Sequence, residues 1–226
     1  VIYITGDTHI PIDIHKLSMK NWTEQVNLTH DDYLIICGDF GGVWNESNEE
    51  LYWLKWLNKK PFTTLFIDGN HENHDMLNEC EVEEYCGGKV HKIMSNIYHL
   101  MRGQIFNLNG VKVFTMGGAS SHDKIHRKES KSWWKSELPN EDEYKEALNN
   151  LDRNNWKVDL VITHCAPDSI QSELANWYEH DKLTNLLETV KQDLSYKKWY
   201  FGHYHVDNMI DEKHVAIYDK IEKYIE

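Results

Sequence analysis

Apolar and polar positions along the chain fall into short runs with two different periods. Residues 1–5, 33–37, 62–67, 158–163 and 198–201 are short runs rich in apolar and β-branched side chains, with the length and content of buried strands. Between them lie stretches of helical character. Residues 13–28 are mixed and amphipathic, and 49–58 carry Leu51, Leu54 and Leu57 at helical spacing with Trp53 and Trp56 beside them. A helix starts in 73–78, another occupies 141–153 with Pro139-Asn140 as stop and cap, and a third occupies 182–192. The pattern changes between 90 and 116, where short strands are predicted at 90–93, 97–100, 104–108 and 111–116. Asn109-Gly110, between the last two, is a type I′ hairpin signal. A polar loop over 117–139 follows, and the tail 206–224 suits antiparallel strands at a sheet edge, with room for a short closing helix. The chain shows no repeat, low-complexity segment or flexible linker. Strand–helix alternation, then hairpins, then alternation again predicts one α/β domain over residues 1–226 with mixed sheets.

Five of the predicted strands run directly into metal-capable side chains. They are followed by Gly6-Asp7-Thr8-His9, by Gly38-Asp39-Phe40-Gly41-Gly42, by Asp68-Gly69-Asn70-His71-Glu72, by His164, and by Gly202-His203-Tyr204-His205. Ligands in open α/β sheets bind beyond the carboxyl ends of the strands, so these loops can meet at one rim. Glycine between strand and ligand permits a sharp exit and close backbone approach. Carboxylate, amide oxygen and imidazole make a mixed O/N donor set, suited to manganese, iron(II) or zinc better than to calcium or soft metals. Two such ions, about 3.5–4 Å apart, clamp a phosphoryl group and activate water, and one carboxylate must bridge them. Singly, an Asp-x-His or Gly-Asp after a strand is ordinary turn chemistry and a lone His164 would be structural. In this order, each at a strand end, coincidence is improbable.

Charge and composition narrow the partners. The net charge of −13 repels long nucleic acid, whose binding depends on phosphate neutralisation. A site holding two divalent cations is locally positive against that background and still takes a small phosphate ester. No apolar run approaches the roughly 20 residues of a membrane span, and no basic, apolar, small-residue leader precedes the first strand. The four cysteines lack CxxC spacing, and Cys37 and Cys165 lie in or beside apolar runs, so reduced, buried thiols and a cytoplasmic location are expected. Exposed members of the nine tryptophans would suit a homodimer, and buried ones would be core.

The set GDTH, GDFGG, GNHE, TH and GHYH, spanning Asp7 to His205, resembles the calcineurin-like metallophosphoesterase superfamily, whose pattern is D-x-H, GDxxx, GNH[DE], H and GHxH. The resemblance implies a four-layer α/β/β/α sandwich of two mixed sheets, with the metal site at the strand C-terminal ends. It implies that Asp7, His9 and His205 hold one divalent ion, that Asn70, His164 and His203 hold a second, and that Asp39 bridges them. Manganese is the first expectation, with iron, zinc or nickel as alternatives. It further implies a bridging hydroxide as nucleophile and His71 as the histidine that contacts substrate and protonates the leaving oxygen.

The second block here is GDFGG, where phosphoprotein phosphatases of the superfamily read GDxxDRG. The phosphate-gripping arginine of that motif is missing, so a Ser/Thr protein phosphatase is the weaker reading. The segment 117–127 is similar to a loop of bacterial and phage members. Within it, Asp123 and Arg127 are candidate substrate-binding residues, Arg127 for phosphate, although a solvated charged loop accounts for them equally. Trp44, Trp133 and Trp134 either stack on a base or pin loops to the core, and pinning is the expectation. Small phosphodiester or phosphomonoester hydrolysis, on a nucleotide-like substrate, is the leading function. A nuclease acting on strand ends is a lesser one. A non-catalytic scaffold of the same fold stands against it, but such relatives lose ligands or the histidine, and here every position is filled.

Overall fold

A computed structural model describes residues 1–174 and 176–225. Two mixed β-sheets pack face to face and helices cover their outer sides, the expected α/β/β/α sandwich. The first sheet has seven strands in the order β13-β1-β2-β3-β6-β5-β4: β1 (Ile2–Thr5), β2 (Tyr33–Ile36), β3 (Thr63–Phe66), β4 (Glu81–Tyr85), β5 (Gly88–Met94), β6 (Ile97–Leu100) and β13 (Ile221–Lys223). The second has six in the order β11-β12-β10-β9-β8-β7: β7 (Ile105–Leu108), β8 (Val111–Met116), β9 (Leu160–Thr163), β10 (Lys198–Phe201), β11 (Asn208–Met209) and β12 (His214–Ala216). β1, β2 and β3 run parallel in one sheet, and β8, β9 and β10 run parallel in the other.

Three apolar clusters make the layers. Between the sheets lie the inward residues of alternating strand positions, among them Ile2, Ile4, Ile35, Leu65, Phe106, Leu160 and Ile162. The outward residues of the first sheet, Leu34, Ile36 and Phe66, pack on α1 (Asn48–Asn58) and α2 (His74–Asn78) through Leu54, Leu57 and Leu77. Those of the second, Phe114, Val161, Trp199 and Phe201, pack on α3 (Glu141–Arg153), α4 (Asp168–Leu174) and α5 (Lys182–Asp193). Strands buried on both faces read as continuous apolar runs, which is why they were visible in the sequence. Asn140 opens α3 with the expected cap, completed by Glu143 as a capping box. Asn109 and Gly110 have φ of 55° and 94°, as the type I′ hairpin requires.

Several expectations are corrected. Residues 13–28 form two short 3-10 turns, Ile14–Leu17 and Thr23–Asn27, instead of a helix. Polar side chains there compete for the backbone: Asn21 donates to the His15 carbonyl, and buried Gln25 donates to those of Leu17 and Trp22. The tail is not simply antiparallel. β12 runs parallel to β10, and β13 crosses to the first sheet to pair antiparallel with β1. No closing helix occurs among the described residues. Strand β4 and helix α4 had no expectation. No helix among the described residues is long and apolar enough to cross a membrane. The four cysteines are free thiols, Cys37 and Cys165 buried and Cys80 and Cys86 half-buried.

Candidate metal centre

The metal-capable residues lie just past the C-terminal ends of β1, β2, β3, β9 and β10, so both sheets deliver them to one rim. Asp7, His9, Asp39 and His205 each place a ligand atom within 4.8 Å of the others. Asp7 and Asp39 are fully buried, while the His205 side chain is about half exposed (48%). His9 Nε2 stands 3.3 Å from Asp39 Oδ2, and His205 Nε2 stands 3.2 Å from Asp7 Oδ2. On the other side of Asp39, His164 Nε2 lies 3.3 Å from Asp39 Oδ1 and 3.3 Å from Asn70 Oδ1. The His203 ring packs on that of His164 at 4.9 Å between centroids. Asp39 thus faces His9 with one oxygen and His164 with the other.

Backbone conformation aims these groups. His9, Asp39, His203 and His205 all have positive φ, between 34° and 68°. Each such residue costs about 1–3 kcal/mol and persists only where its surroundings fix it, a pattern that concentrates at functional sites. Two glycines are required by packing. A Cβ on Gly69 would sit 2.0 Å from Asp39 Oδ1, and one on Gly38, at φ 99°, would sit 2.1 Å from His164 Nδ1.

Hydrogen bonds choose which nitrogen of each ring faces the centre. His164 Nδ1 donates to the Cys37 carbonyl at 2.8 Å, which leaves Nε2 for the cluster. His9 Nδ1 is held by Asp13 Oδ2 at 2.7 Å, again leaving Nε2. The carboxylates are held by backbone donors. The His203 amide donates to both oxygens of Asp7 at 3.2 Å, and the His71 amide donates to Asp39 Oδ1 at 2.7 Å. Buried Glu72 accepts from the Phe40 and Gly41 amides and so ties the third loop to the second.

The electrostatics are those of two buried carboxylates seeking cations. Burial alone would raise the pKa of Asp39, but His164 and His9 beside it outweigh that and hold it well below the usual range. Burial alone would lower His164 and His9. Asp39 outweighs it for both, lifting His164 to about 10 and His9 to about 9. His203 goes the other way, to about 3, through burial and the neighbouring His164. Burial, with Arg127 adding to it, also lowers His71. The imidazoles of His164 and His9 therefore compensate the buried charge of Asp39, at positions where a divalent cation would compete with their protons. The mixed carboxylate, amide and imidazole set fits that exchange.

His71 stands beside the cluster, its ring 5.6 Å from that of His9. Arg127 faces it, with Nη2 3.1 Å from His71 Nε2, and Arg127 Nε is held by Asp123 Oδ2 at 2.8 Å. All ten predicted site residues are thus brought together, with Asp123 reaching the centre through Arg127. Trp134 is buried, donates to Asp75 and braces Trp44 edge-on, so pinning is its role. Residues missed in the sequence include Asp13, Ser121 and Glu137 behind Asn70, and Tyr178, whose ring meets His203 at 5.2 Å, while Glu72 was named in the GNHE motif but not as a clamp. Asp13, four residues past His9, and Glu72, next to His71, had a local signal; the others are distant in sequence from their partners.

A two-sheet sandwich with an Asp/His cluster at its strand ends, its carboxylates buried, defines a metallophosphoesterase architecture. The family model described as calcineurin-like phosphoesterase matches residues 1–207, and the chain belongs to that family. Comparison with curated proteins gives no match.

Proposed function

We propose that this chain is a single catalytic domain that hydrolyses a small phosphate ester, diester or monoester, using two divalent metal ions. The observation that carries this reading is the position of Asp39, with one oxygen toward His9 and the other toward His164 and Asn70. Asp7, His9 and His205 would hold one ion, Asn70, His164 and His203 the second, and Asp39 both. Manganese suits the donors, as do iron, zinc and nickel. Bound there, such ions supply Lewis-acid polarisation of the phosphoryl group and activation of water.

The chain's own residues do the rest. Arg127, oriented by Asp123, offers guanidinium donors to phosphoryl oxygens. An arriving phosphate draws those donors off His71 and adds negative charge beside it, and both changes raise the imidazole's proton affinity. His71 is then placed to give a proton to the departing oxygen, worth about 10²–10⁴-fold in rate. The positive φ values and backbone clamps keep the ligands from reorganising during the reaction. A cytoplasmic location fits the free thiols.

The test is hydrolysis of a nitrophenyl phosphodiester and the matching monoester by metal-stripped protein, with and without manganese(II). Turnover that requires the metal and disappears in Asp39→Asn is the expected result. Turnover independent of metal, or no turnover of these esters or of any nucleotide ester offered with two ions bound, overturns the proposal.

A further inference from the structure

Two cavities open beside the metal cluster and have no lining residue in common. One, of about 320 Å³, is bounded by His9, His71, Ile10, Pro11, Gly41 and Trp44. The other, of about 400 Å³, reaches His203 and is bounded by Tyr178, Trp177, His122 and Ile125. Both volumes lie at the lower end of the range for small-molecule sites.

The walls agree in two respects. First, each presents an aromatic surface. On the His203 side, the Tyr178 ring meets the rings of His203 at 5.2 Å and His122 at 5.3 Å, and Trp177 lies beside it at 6.1 Å. Trp177 is 74% exposed and Ile125 88% exposed, so large apolar groups stand uncovered at the mouth of a cavity. On the His71 side, half-buried Trp44 is set edge-on against Trp134 at 5.3 Å. Second, the charged and polar linings are largely committed. Lys124 is paired with buried Glu137, His180 bonds Ser172, and Gln171 and Thr184 are tied to Tyr204 and Asp181. The first cavity contributes the carboxylates of Glu49 and Glu50, and Glu50 accepts from the Trp44 and Asn45 amides. Such walls recognise flat rings by stacking and do not suit a second phosphate.

Resting on the phosphoesterase reading above, we infer that the substrate is a phosphodiester with a planar aromatic group on each arm, of the dinucleoside monophosphate kind. One base lies in the Trp44 cavity and the other in the Trp177 cavity, with the phosphoryl group between them at the metal cluster. A monoester would leave one cavity empty and would bring up to two negative charges, where a diester brings one. His71 lines the Trp44 cavity, so that arm departs. Water oxygen bonds to phosphorus, the phosphorus–oxygen bond to the Trp44-side arm breaks, and the departing oxygen takes a proton. The products are a nucleoside and a nucleoside monophosphate. Because stacking reads any base, discrimination among bases is weak.

Calorimetric titration of manganese-loaded protein with a dinucleoside methylenephosphonate, which resists cleavage at the bridging carbon, tests this. Dimethyl phosphate and a nucleoside monophosphate serve as comparators. The dinucleoside binds more tightly than the mononucleoside by about 5- to 150-fold, the contribution of one stacked base. Trp177→Ala and Trp44→Leu each remove that gain. Trp177 is exposed enough for its variant to fold, and it decides the question alone should Trp44→Leu not. Equal binding of the dinucleoside and mononucleoside, or an undiminished gain in Trp177→Ala, overturns the inference. Either of those results with nitrophenyl esters still hydrolysed leaves the phosphoesterase reading standing. A tryptophan-dependent gain in a protein that hydrolyses no ester, the dinucleoside monophosphate included, removes that reading and keeps the two-armed site.

Discussion

Replacing Ser121 by Ala tests whether the polar loop 117–139 sets the metal centre from behind. The Ser121 hydroxyl donates to Glu137 Oε2 at 2.7 Å and its amide donates to Glu137 Oε1 at 2.9 Å. With its proton committed, the hydroxyl oxygen accepts from Asn70 Nδ2 at 3.1 Å. That contact fixes the amide, so Asn70 Oδ1, not the donor nitrogen, faces His164 Nε2 at 3.3 Å. Ser121, Glu137 and Asn70 are all at least nine-tenths buried, so water does not readily replace a lost partner. Ser121→Ala leaves a buried Asn70 N–H without its acceptor, at a cost of about 1–3 kcal/mol, and removes the preference between the two amide orientations. Loss of an outer-shell partner of this kind typically weakens metal binding about 10–100-fold. The assay is titration of stripped protein with manganese(II), following free ion by its paramagnetic resonance signal. One equivalent should weaken by that factor and the other, at Asp7, His9 and His205, should not. Ser121→Thr, which keeps the hydroxyl, should restore it. Two equivalents bound by Ser121→Ala with wild-type affinity would refute the reasoning.

Three further outcomes follow from the same contacts. His71→Ala keeps both metal equivalents and loses about 10²–10⁴-fold in rate on esters with poor leaving groups but much less on nitrophenyl esters, and equal losses on both would remove its role as acid. His9 and His164 have pKa values raised from about 6.5 to about 9 and about 10, so their contribution to stability is complete below pH 6.5 and is lost as pH rises through those values. The melting temperature of stripped protein should therefore fall between pH 7 and pH 10, and a flat profile would contradict the imidazolium–Asp39 pairing. Arg102→Leu strips buried Asp68 of a partner bonded at 2.6 and 2.9 Å and should cost about 3–5 kcal/mol by chemical denaturation, against a null result within 1 kcal/mol that would refute it.

What the sequence disclosed has a physical boundary. The seven candidate ligands were legible because each lies one to four residues past the end of a strand, and a strand end is a rigid place from which to aim a side chain. The strands were legible because burial on both faces leaves little room for polar positions. The 3-10 turns of residues 13–28 were not, because their course depends on Gln25, Asn21 and Lys16 finding particular carbonyls. Lys16 reaches those of Gly6, Asp7 and Tyr218, the last 202 residues away. Edge strand β4 carries Glu81, Glu83 and Glu84, charges that keep an exposed edge from pairing and also erase its apolar signature. Ser121 and Glu137 could not be read either, since only folding brings a serine within reach of an asparagine 51 positions earlier.

The loop 117–139 shows how that hidden layer is organised. Arg102 binds Asp68, the residue just before Gly69-Asn70-His71, and the same guanidinium donates to the Ser136 and Glu137 carbonyls of the loop. Gly118 donates its amide to the Asp68 carbonyl, and a Cβ on Gly117 would sit 2.2 Å from Asp68 Oδ1. Strand end and loop are therefore fastened at the root by Arg102, in the middle by Ser121 on Asn70, and at the tip by Arg127 on His71. The three contacts serve different ends. The first two are buried and position Asn70 whether or not substrate is present. The third joins a guanidinium to an imidazole, and an incoming anion competes with it directly. The loop is thus buried and tied where Asn70 is held and open to competition at Arg127, the division of labour that the proposed hydrolysis would require.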